Sequence, residues 1–388
     1  MNNRSFPISG RGLVFFTFAR ILLNTMYRMV YPFLGVFRSA LGVSLEQMSI
    51  ILTLRAVLGT LAPLLASIGD SRGRKTGMIA GMTLFIGGCG VVLLHKTYAF
   101  FAIAIVLTML GKYLFDPSLL AFIGDKVNYA SRGRVMALME LGWSLSFLIG
   151  VPFAGLLIDR FGWTAPFTVF ALLGGVLLIG LITKITPDQT PTKTPGEQHS
   201  FLVVLTSGLA LNGLSIGLAI SAANEVINLI FGVWLEDTFQ LKIAALGATT
   251  AVIGISELLG EFSVAALVDK LGKPKTVALG ILLNTLAALG LSQGQGSALA
   301  AVLGLFFFYI TFEFTLVSSI PLISEILPEK RATMLSSSGA AHSLGRAFGA
   351  LLAAPLYRIG LFANLAVAVG FNLLALVALY ALTQRKSL

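Results

Sequence analysis

The chain has 388 residues, of which 56% are hydrophobic and 11% charged, against roughly 25% charged in an ordinary soluble domain. The hydrophobic residues come in long uncharged runs such as Leu361–Leu382 and Pro166–Thr183, near the ~20 residues an α-helix needs to cross hydrocarbon. A soluble fold is therefore excluded, and the net charge of +10 has to be judged by where the bases lie before nucleic acid is considered.

Twelve spanning segments are expected, taken in chain order. Segment 1 (13–36) has no small-residue cleavage site and contains Arg20 and Arg28, so it is expected to be a spanning helix and not a leader. Arg20, Asn24, Arg28 and Tyr31 follow one another at helical spacing and form one stripe. Segment 2 (46–69) carries Arg55 and ends on the loop Asp70-Ser71-Arg72-Gly73-Arg74-Lys75. Segment 3 (76–94) is charge-free and holds Cys89. A lone cysteine allows neither an internal disulfide nor a Cys-based metal site, and reads as a small buried hydrophobe.

Segment 4 (98–123) places Lys112 and Asp116 one turn apart. Pro117 follows, which denies a hydrogen bond to the carbonyl of Tyr113 and opens the backbone there. Asp125 closes the segment. Segment 5 (134–157) carries Glu140 and the run Gly150-Val151-Pro152-Phe153-Ala154-Gly155, and segment 6 (164–184) has no charge in its core. Next comes the polar Pro/Thr-rich run 186–196, expected to be an extended linker.

Segment 7 (203–235) has Ser221, Asn224, Glu225 and Asn228, and segment 8 (243–268) has Glu257 and Glu261 one turn apart. The loop Asp269-Lys270-Leu271-Gly272-Lys273 follows, then the charge-free segment 9 (276–292). Segment 10 (298–326) offers Tyr309 and Glu313 and ends at Glu325. Segment 11 (333–357) has His342 and Arg346 one turn apart, and segment 12 (361–383) is charge-free.

With both termini on one side, that side collects Arg72, Arg74, Lys75, Lys126, Arg132, Arg134, Lys270, Lys273, Lys275, Lys330 and Arg331, among others. The other side has only Arg38, Lys96, Arg160, Lys242 and Arg358. This bias makes both termini cytoplasmic. The basic excess is thus a topology signal, and no nucleic-acid partner is expected.

Asp70-Ser71-Arg72-Gly73-Arg74 aligns with Asp269-Lys270-Leu271-Gly272-Lys273 at an offset of 199 residues, and Arg132 with Arg331 and Gly150 with Gly349 at the same offset. This duplication divides the chain into an N-terminal six-helix bundle (1–184), a linker (185–200) and a C-terminal six-helix bundle (201–388). Repeats of six helices keep the same orientation, related by an axis along the membrane normal.

On these residues the chain resembles the major facilitator superfamily. The family's loop between helices 2 and 3 reads roughly Gly-x-x-x-Asp-Arg-x-Gly-Arg-Arg/Lys. Here Ala66 and Ser71 depart from it, while Asp70, Gly73, Arg74 and Lys75 match, as do Asp269, Lys270, Gly272 and Lys273 in the second half. The resemblance implies an all-α membrane protein of twelve helices in two parallel-repeat bundles. It implies that segments 1, 4, 7 and 10 line a central cavity, that 2, 5, 8 and 11 flank it, and that 3, 6, 9 and 12 face lipid. The charge-free segments are the same 3, 6, 9 and 12.

Arg, Lys or Asp at a helix centre costs about 2.5–3.5 kcal/mol on insertion scales, so the interior charges are the site candidates. For substrate binding or proton coupling these are Arg28, Tyr31, Lys112, Asp116, Asn224, Glu225, Asn228, Tyr309, Glu313, Glu257, Glu261, His342 and Arg346. The resemblance further implies a cytoplasmic latch between the halves from Asp70, Gly73, Arg74, Asp125, Asp269, Gly272, Lys273 and Glu325. Asp125 is the expected partner of Arg74, and Glu325 of Lys273.

The run 150–155 looks like a degraded Gly-Pro-x-x-Gly-Gly antiporter motif, with Val151 and Leu156 in place of glycines. The arginine that proton-coupled drug exporters carry in helix 4 would fall near Leu107 and is absent, with Lys112 the nearest base. The expected function is secondary transport by alternating access, as proton-coupled efflux of a small amphipathic solute. Import or facilitation of a polar or anionic metabolite, lipid flipping, and a non-transporting receptor are the alternatives. No enzyme motif, cofactor or metal site is expected. The expected partners are a small-molecule solute, protons and the lipid bilayer, and the expected form is a monomer in the cytoplasmic (inner) membrane.

Overall fold

A computed structural model describes residues 10–65, 72–127, 129–185, 204 and 206–386. Linker residues 186–200, Asp70 and Ser71 lie outside the described residues. Among the described residues the structure is helical and contains no strand. The helices are α1 (Gly10–Arg28), α2 (Leu34–Leu41), α3 (Leu45–Gly59), α4 (Arg74–Leu94), α5 (Tyr98–Lys126), α6 (Tyr129–Leu145), α7 (Val151–Phe161) and α8 (Ala165–Lys184). The second series is α9 (Gly208–Asn228), α10 (Phe231–Phe239), α11 (Ile243–Leu271), α12 (Lys273–Leu291), α13 (Ala298–Ser324), α14 (Arg331–Ile359) and α15 (Leu361–Lys386).

Among the described residues nine helices are long and apolar enough to cross a membrane, ten if the bent pair α2–α3 counts as one span. The helices α1 and α14 fall outside that set because arginines interrupt their apolar sequence: Arg11, Arg20 and Arg28 in α1, Arg331, Arg346 and Arg358 in α14. The exposed large side chains form apolar stripes, for example Leu172, Val176 and Ile179 on α8, and Leu373, Leu374 and Val377 on α15. Apolar side chains exposed in such rows are stable against lipid and costly against water.

Two compact units emerge from the contacts. One comprises Met1–Val30 with Leu64–Lys193, the other Tyr31–Pro63 with Thr194–Leu388. In the first unit α4 and α5 pack through glycine. A Cβ on Gly81 would meet the Gly111 carbonyl oxygen at 2.6 Å, and one on Gly111 would meet that of Gly81 at 2.5 Å. Small residues let membrane helices gain dispersion contact where lipid offers no hydrophobic drive.

The second unit uses amides at the corresponding crossing. Asn284 on α12 donates to the Phe308 carbonyl (2.9 Å) and to Thr311 Oγ1 (3.1 Å) on α13. Asn372 on α15 donates to Asn284 Oδ1 at 2.9 Å. Segments 9 and 12 carry no charge, yet they are tied by buried amides.

Segments 1 and 7, expected as single helices, are each interrupted, and the interruptions lie one repeat length apart. The first is the turn Met29–Phe33 between α1 and α2, where Pro32 has no N–H to continue the ladder. The second is Leu229–Ile230 between α9 and α10, where Ile230 N turns to the Ile227 carbonyl at 3.1 Å. That leaves the Val226 carbonyl without its usual donor, and Asn364 Nδ2 of α15 fills the place at 3.2 Å. The α2–α3 corner is set by Gly42 at φ 64° and by a capping box between Ser44 and Gln47.

Candidate functional site

In the first unit Arg20, on the buried face of α1, reaches two acids. Its Nη1 lies 2.8 Å from Glu140 Oε1 on α6, and its Nε lies 3.8 Å from Asp116 Oδ1 on α5. Lys112 pairs with Asp116 one helical turn below it. The i, i+4 spacing legible in the sequence thus becomes part of a four-residue ionic cluster across α1, α5 and α6. Its charges match one to one, which offsets the cost of taking them out of water.

One turn above Arg20 on the same face, Asn24 Nδ2 donates to the Gly142 carbonyl at 3.0 Å. Arg28, the next step, donates to the Trp143 carbonyl at 3.0 Å. Its guanidinium stands over the Trp143 and Phe147 rings, at 4.3 and 3.3 Å from their centroids. Beyond Trp143 the chain forms a π-helical stretch, Ser146–Gly150, leading into α7. Such stretches are rare and recur at functional positions. This one ends at Gly150, the first residue of the degraded Gly-Pro run, and went unseen in the sequence, because no composition signal marks an extra residue in a turn.

In the second unit Glu225 on α9 is buried, 1% exposed. Tyr31 Oη donates to its Oε1 at 2.8 Å, and Asn228 Nδ2 donates to its Oε2 at 3.2 Å. Arg55 Nη2 donates to Tyr31 Oη at 2.5 Å, and Tyr309 Oη donates to Asn228 Oδ1 at 2.7 Å. Tyr31 and Arg55 come from the 31–63 stretch, Glu225 and Asn228 from α9, and Tyr309 from α13. Asn224, also on α9, is buried, and its Nδ2 has no hydrogen-bond partner among the described residues.

The other candidates fall nearby. Gly260 on α11 lets α13 approach so closely that a Cβ there would lie 3.0 Å from Glu313 Cβ. Glu313 therefore sits against the turn of α11 that holds Glu257 and Glu261. Glu257 and Glu313 are buried, and Glu261 is half-buried. Among the described residues no group of His, Cys, Asp or Glu is arranged to hold a metal ion. His342 on α14 faces α9, with Nδ1 2.8 Å from Ser221 Oγ. Arg346, one turn on, directs its field at Glu225.

At the repeated loops Gly73 and Gly272 both take positive φ, 95° and 80°, and each opens the following helix. Only glycine does this without strain. Arg74 Nε lies 3.6 Å from Asp125 Oδ2, and Lys273 pairs with Glu325. Asp269, Gly272, Lys273 and Glu325 line a cavity of 270 Å³. Asp70 lies outside the described residues.

The sequence profile of the Major Facilitator Superfamily matches residues 16–350 and, in a second match, 209–387. The chain belongs to the major facilitator superfamily. It is a multi-pass membrane transporter and not an enzyme, and its relatives and structural neighbours are transporters.

The uncharacterized MFS-type transporter YwfA of Bacillus subtilis is 26% identical over 80% of this chain and 78% of its own length. A multi-drug resistance efflux pump PmrA homolog of Lactococcus lactis is 21% identical over 97% of this chain and 95% of its own. Among solved structures, the human organic anion transporter MFSD10 (TETRAN) superposes with a TM-score of 0.70 at 21% identity, covering 95% of this chain and 99% of that one.

Proposed function

We propose that this superfamily member is a secondary active transporter that exports a small amphipathic organic solute by alternating access, in exchange for protons. The observation that carries this reading is the set of buried carboxylates Glu225, Glu257 and Glu313 in the second unit. Ionisable groups at membrane depth are expensive, and they persist where they bind solutes or relay protons. Two efflux-pump features add to it: the degraded Gly-Pro run at 150–155 and the likeness to the PmrA homolog. In this reading the bundles are 1–184 and 201–388 and together comprise twelve spans. The protein acts as a monomer in the cytoplasmic membrane with both termini inside.

Arg28, Tyr31, Lys112, Asp116, Asn224, Asn228, Tyr309 and Glu313 supply polar contacts to the solute. The free Nδ2 of Asn224 is the donor best able to take a solute oxygen. The loop pairs Arg74–Asp125 and Lys273–Glu325, with Asp70 and Asp269, serve as the cytoplasmic latch.

A second reading, uptake or facilitated passage of an organic anion, is favoured by Arg20 and Arg28 on one face of α1 and by the likeness to the organic anion transporter MFSD10. Both are tested in proteoliposomes holding an internal pH dye, with ethidium as the cationic probe and fluorescein as the anionic one. The exporter reading expects an imposed pH gradient to drive ethidium, with counter-movement of protons. Ethidium flux without proton flux removes antiport, and fluorescein flux alone selects the anion reading.

A further inference from the structure

We propose that Glu140 seats the cationic nitrogen of the solute, an ammonium or amidinium bearing N–H groups, and that Arg20 yields Glu140 to it by moving onto Asp116. This deepens the proposed function by naming the class of solute, and it rests on that reading.

Three features of the ionic cluster in the first unit carry the inference. The first is an asymmetry of exposure. The side chains of Arg20, Lys112 and Asp116 are 6%, 12% and 16% exposed, whereas that of Glu140 is 55% exposed. Glu140 nevertheless lies within a segment long and apolar enough to cross a membrane. An ionised carboxylate is costly to turn toward hydrocarbon, so its open side faces water and what dissolves in it.

The second feature is that Arg20 is only half committed to Glu140. A full guanidinium–carboxylate fork has two parallel bonds. Here Nη1 lies 2.8 Å from Oε1, but Nη2 is 3.5 Å from Oε2. The third is a pair of buried atoms held just apart. Arg20 Nε and Asp116 Oδ1 lie 3.8 Å from each other, and neither has a hydrogen-bond partner among the described residues. A buried donor and acceptor left unbonded cost free energy that a bond between them recovers. Closing the gap takes about an ångström, to the roughly 2.9 Å of an N–H···O bond.

Together these features make an exchange. Gly142 brings α6 so near that a Cβ there would lie 2.9 Å from Arg20 Cβ, which pins the base of the arginine. Its guanidinium can still swing from Glu140 toward Asp116 while α1 stays in place. A cation that takes Glu140 thus leaves Arg20 with a partner it already faces. Lys112 keeps the other Asp116 oxygen, Oδ2, so no charge is stranded in the interior. The cluster gains one positive charge at its water-facing edge, where screening is strongest.

The same geometry selects the chemistry of the cation. Glu140 gives up the N–H donors of Arg20, and the incoming group has to replace them. An ammonium or amidinium does so, and a quaternary ammonium has no hydrogen to donate. Quaternary cations are recognised by aromatic faces instead. Trp143, one turn further along α6, already carries the Arg28 guanidinium on its ring.

The test uses the purified full chain in detergent, with the signal of empty micelles subtracted. Two fluorescent probes share one dansyl body: dansylcadaverine ends in a primary ammonium, and its N,N,N-trimethyl derivative has no N–H there. Wild type should bind the ammonium probe about tenfold more tightly, the worth of one charged hydrogen bond. Glu140→Gln should erase that preference. Arg20→Gln removes the competing cation while Lys112 and Asp116 stay paired, and should tighten the ammonium probe about threefold. A residue that merely held the fold would loosen binding on removal, so this variant decides the matter alone if Glu140→Gln does not fold.

Equal affinity for the two probes in wild type, an undiminished preference in Glu140→Gln, or unchanged or weaker binding in Arg20→Gln overturns the proposal. If vesicles nevertheless couple ethidium to protons, the proposed function stands and only this site fails. If the probes bind as described but neither dansylcadaverine nor ethidium moves against protons, the site stands and the exporter reading fails.

Discussion

Asp116 and Glu225 are both carboxylates withdrawn from water, one in each unit, and their surroundings differ in kind. Asp116 touches its counter-charges directly: Lys112 one turn away on its own helix and Arg20 from α1, which also holds Glu140. Glu225 meets Arg55 through the phenol of Tyr31, and its other oxygen is held by the neutral amide of Asn228. Breaking a direct buried pair leaves a charge behind and costs about 3–5 kcal/mol. An interhelical hydrogen bond in a membrane protein averages about 0.6 kcal/mol, with a maximum near 1.7. The first arrangement fixes helices in place. The second holds its carboxylate through hydrogen bonds from neutral groups.

The largest test of this contrast is Asp116→Asn, expected to lower unfolding stability by about 3 kcal/mol, read as a fall in detergent thermal midpoint. Adding Lys112→Met should recover part of the loss, since it removes the stranded ammonium. Glu225→Gln should leave that midpoint within about 1 kcal/mol of wild type, because the glutamine amide still meets Tyr31 and Asn228. A loss as large as that of Asp116→Asn would erase the distinction between the two sites.

Gly232→Ala comes next. Its Cβ would press within 2.5–2.6 Å of the Pro32 and Tyr31 carbonyls, so spin labels at Ser39→Cys and Lys242→Cys in a Cys89→Ala background should report a longer distance than without the substitution. Asn364→Leu strips the donor from the Val226 carbonyl and should cost about 0.6–1.7 kcal/mol, seen as a small drop in thermal midpoint. Arg38→Ala should change ethidium flux least of all, and Asp116→Asn and Glu313→Gln should each reduce it far more.

Much of this is written locally in the chain. The apolar runs, the duplicated loops and the Lys112–Asp116 spacing depend on composition and on residues within one or two turns. The pairs Arg74–Asp125 and Lys273–Glu325 were also legible, because both members sit at segment ends on the same side. The break at 29–33 had a signal in Pro32. The one at 229–230 had none beyond its place in the repeat. Three asparagines in otherwise apolar segments, Asn284, Asn364 and Asn372, were a usable sign of interhelical ties, because a lone amide in hydrocarbon has to find a partner.

By itself, then, the sequence determined a helical membrane protein with a repeated loop, its long apolar runs, and the charges set within them. Which of those charges meet was decided only by the tertiary structure. Tyr31 and Glu225 lie 194 positions apart, His342 bonds Ser221, and Arg28 settles over Trp143 and Phe147. Hydrophobic periodicity fixes which face of a helix turns inward. The rotation and height at which two inward faces meet are set by packing across the whole unit, and hydrogen-bond partners depend on both.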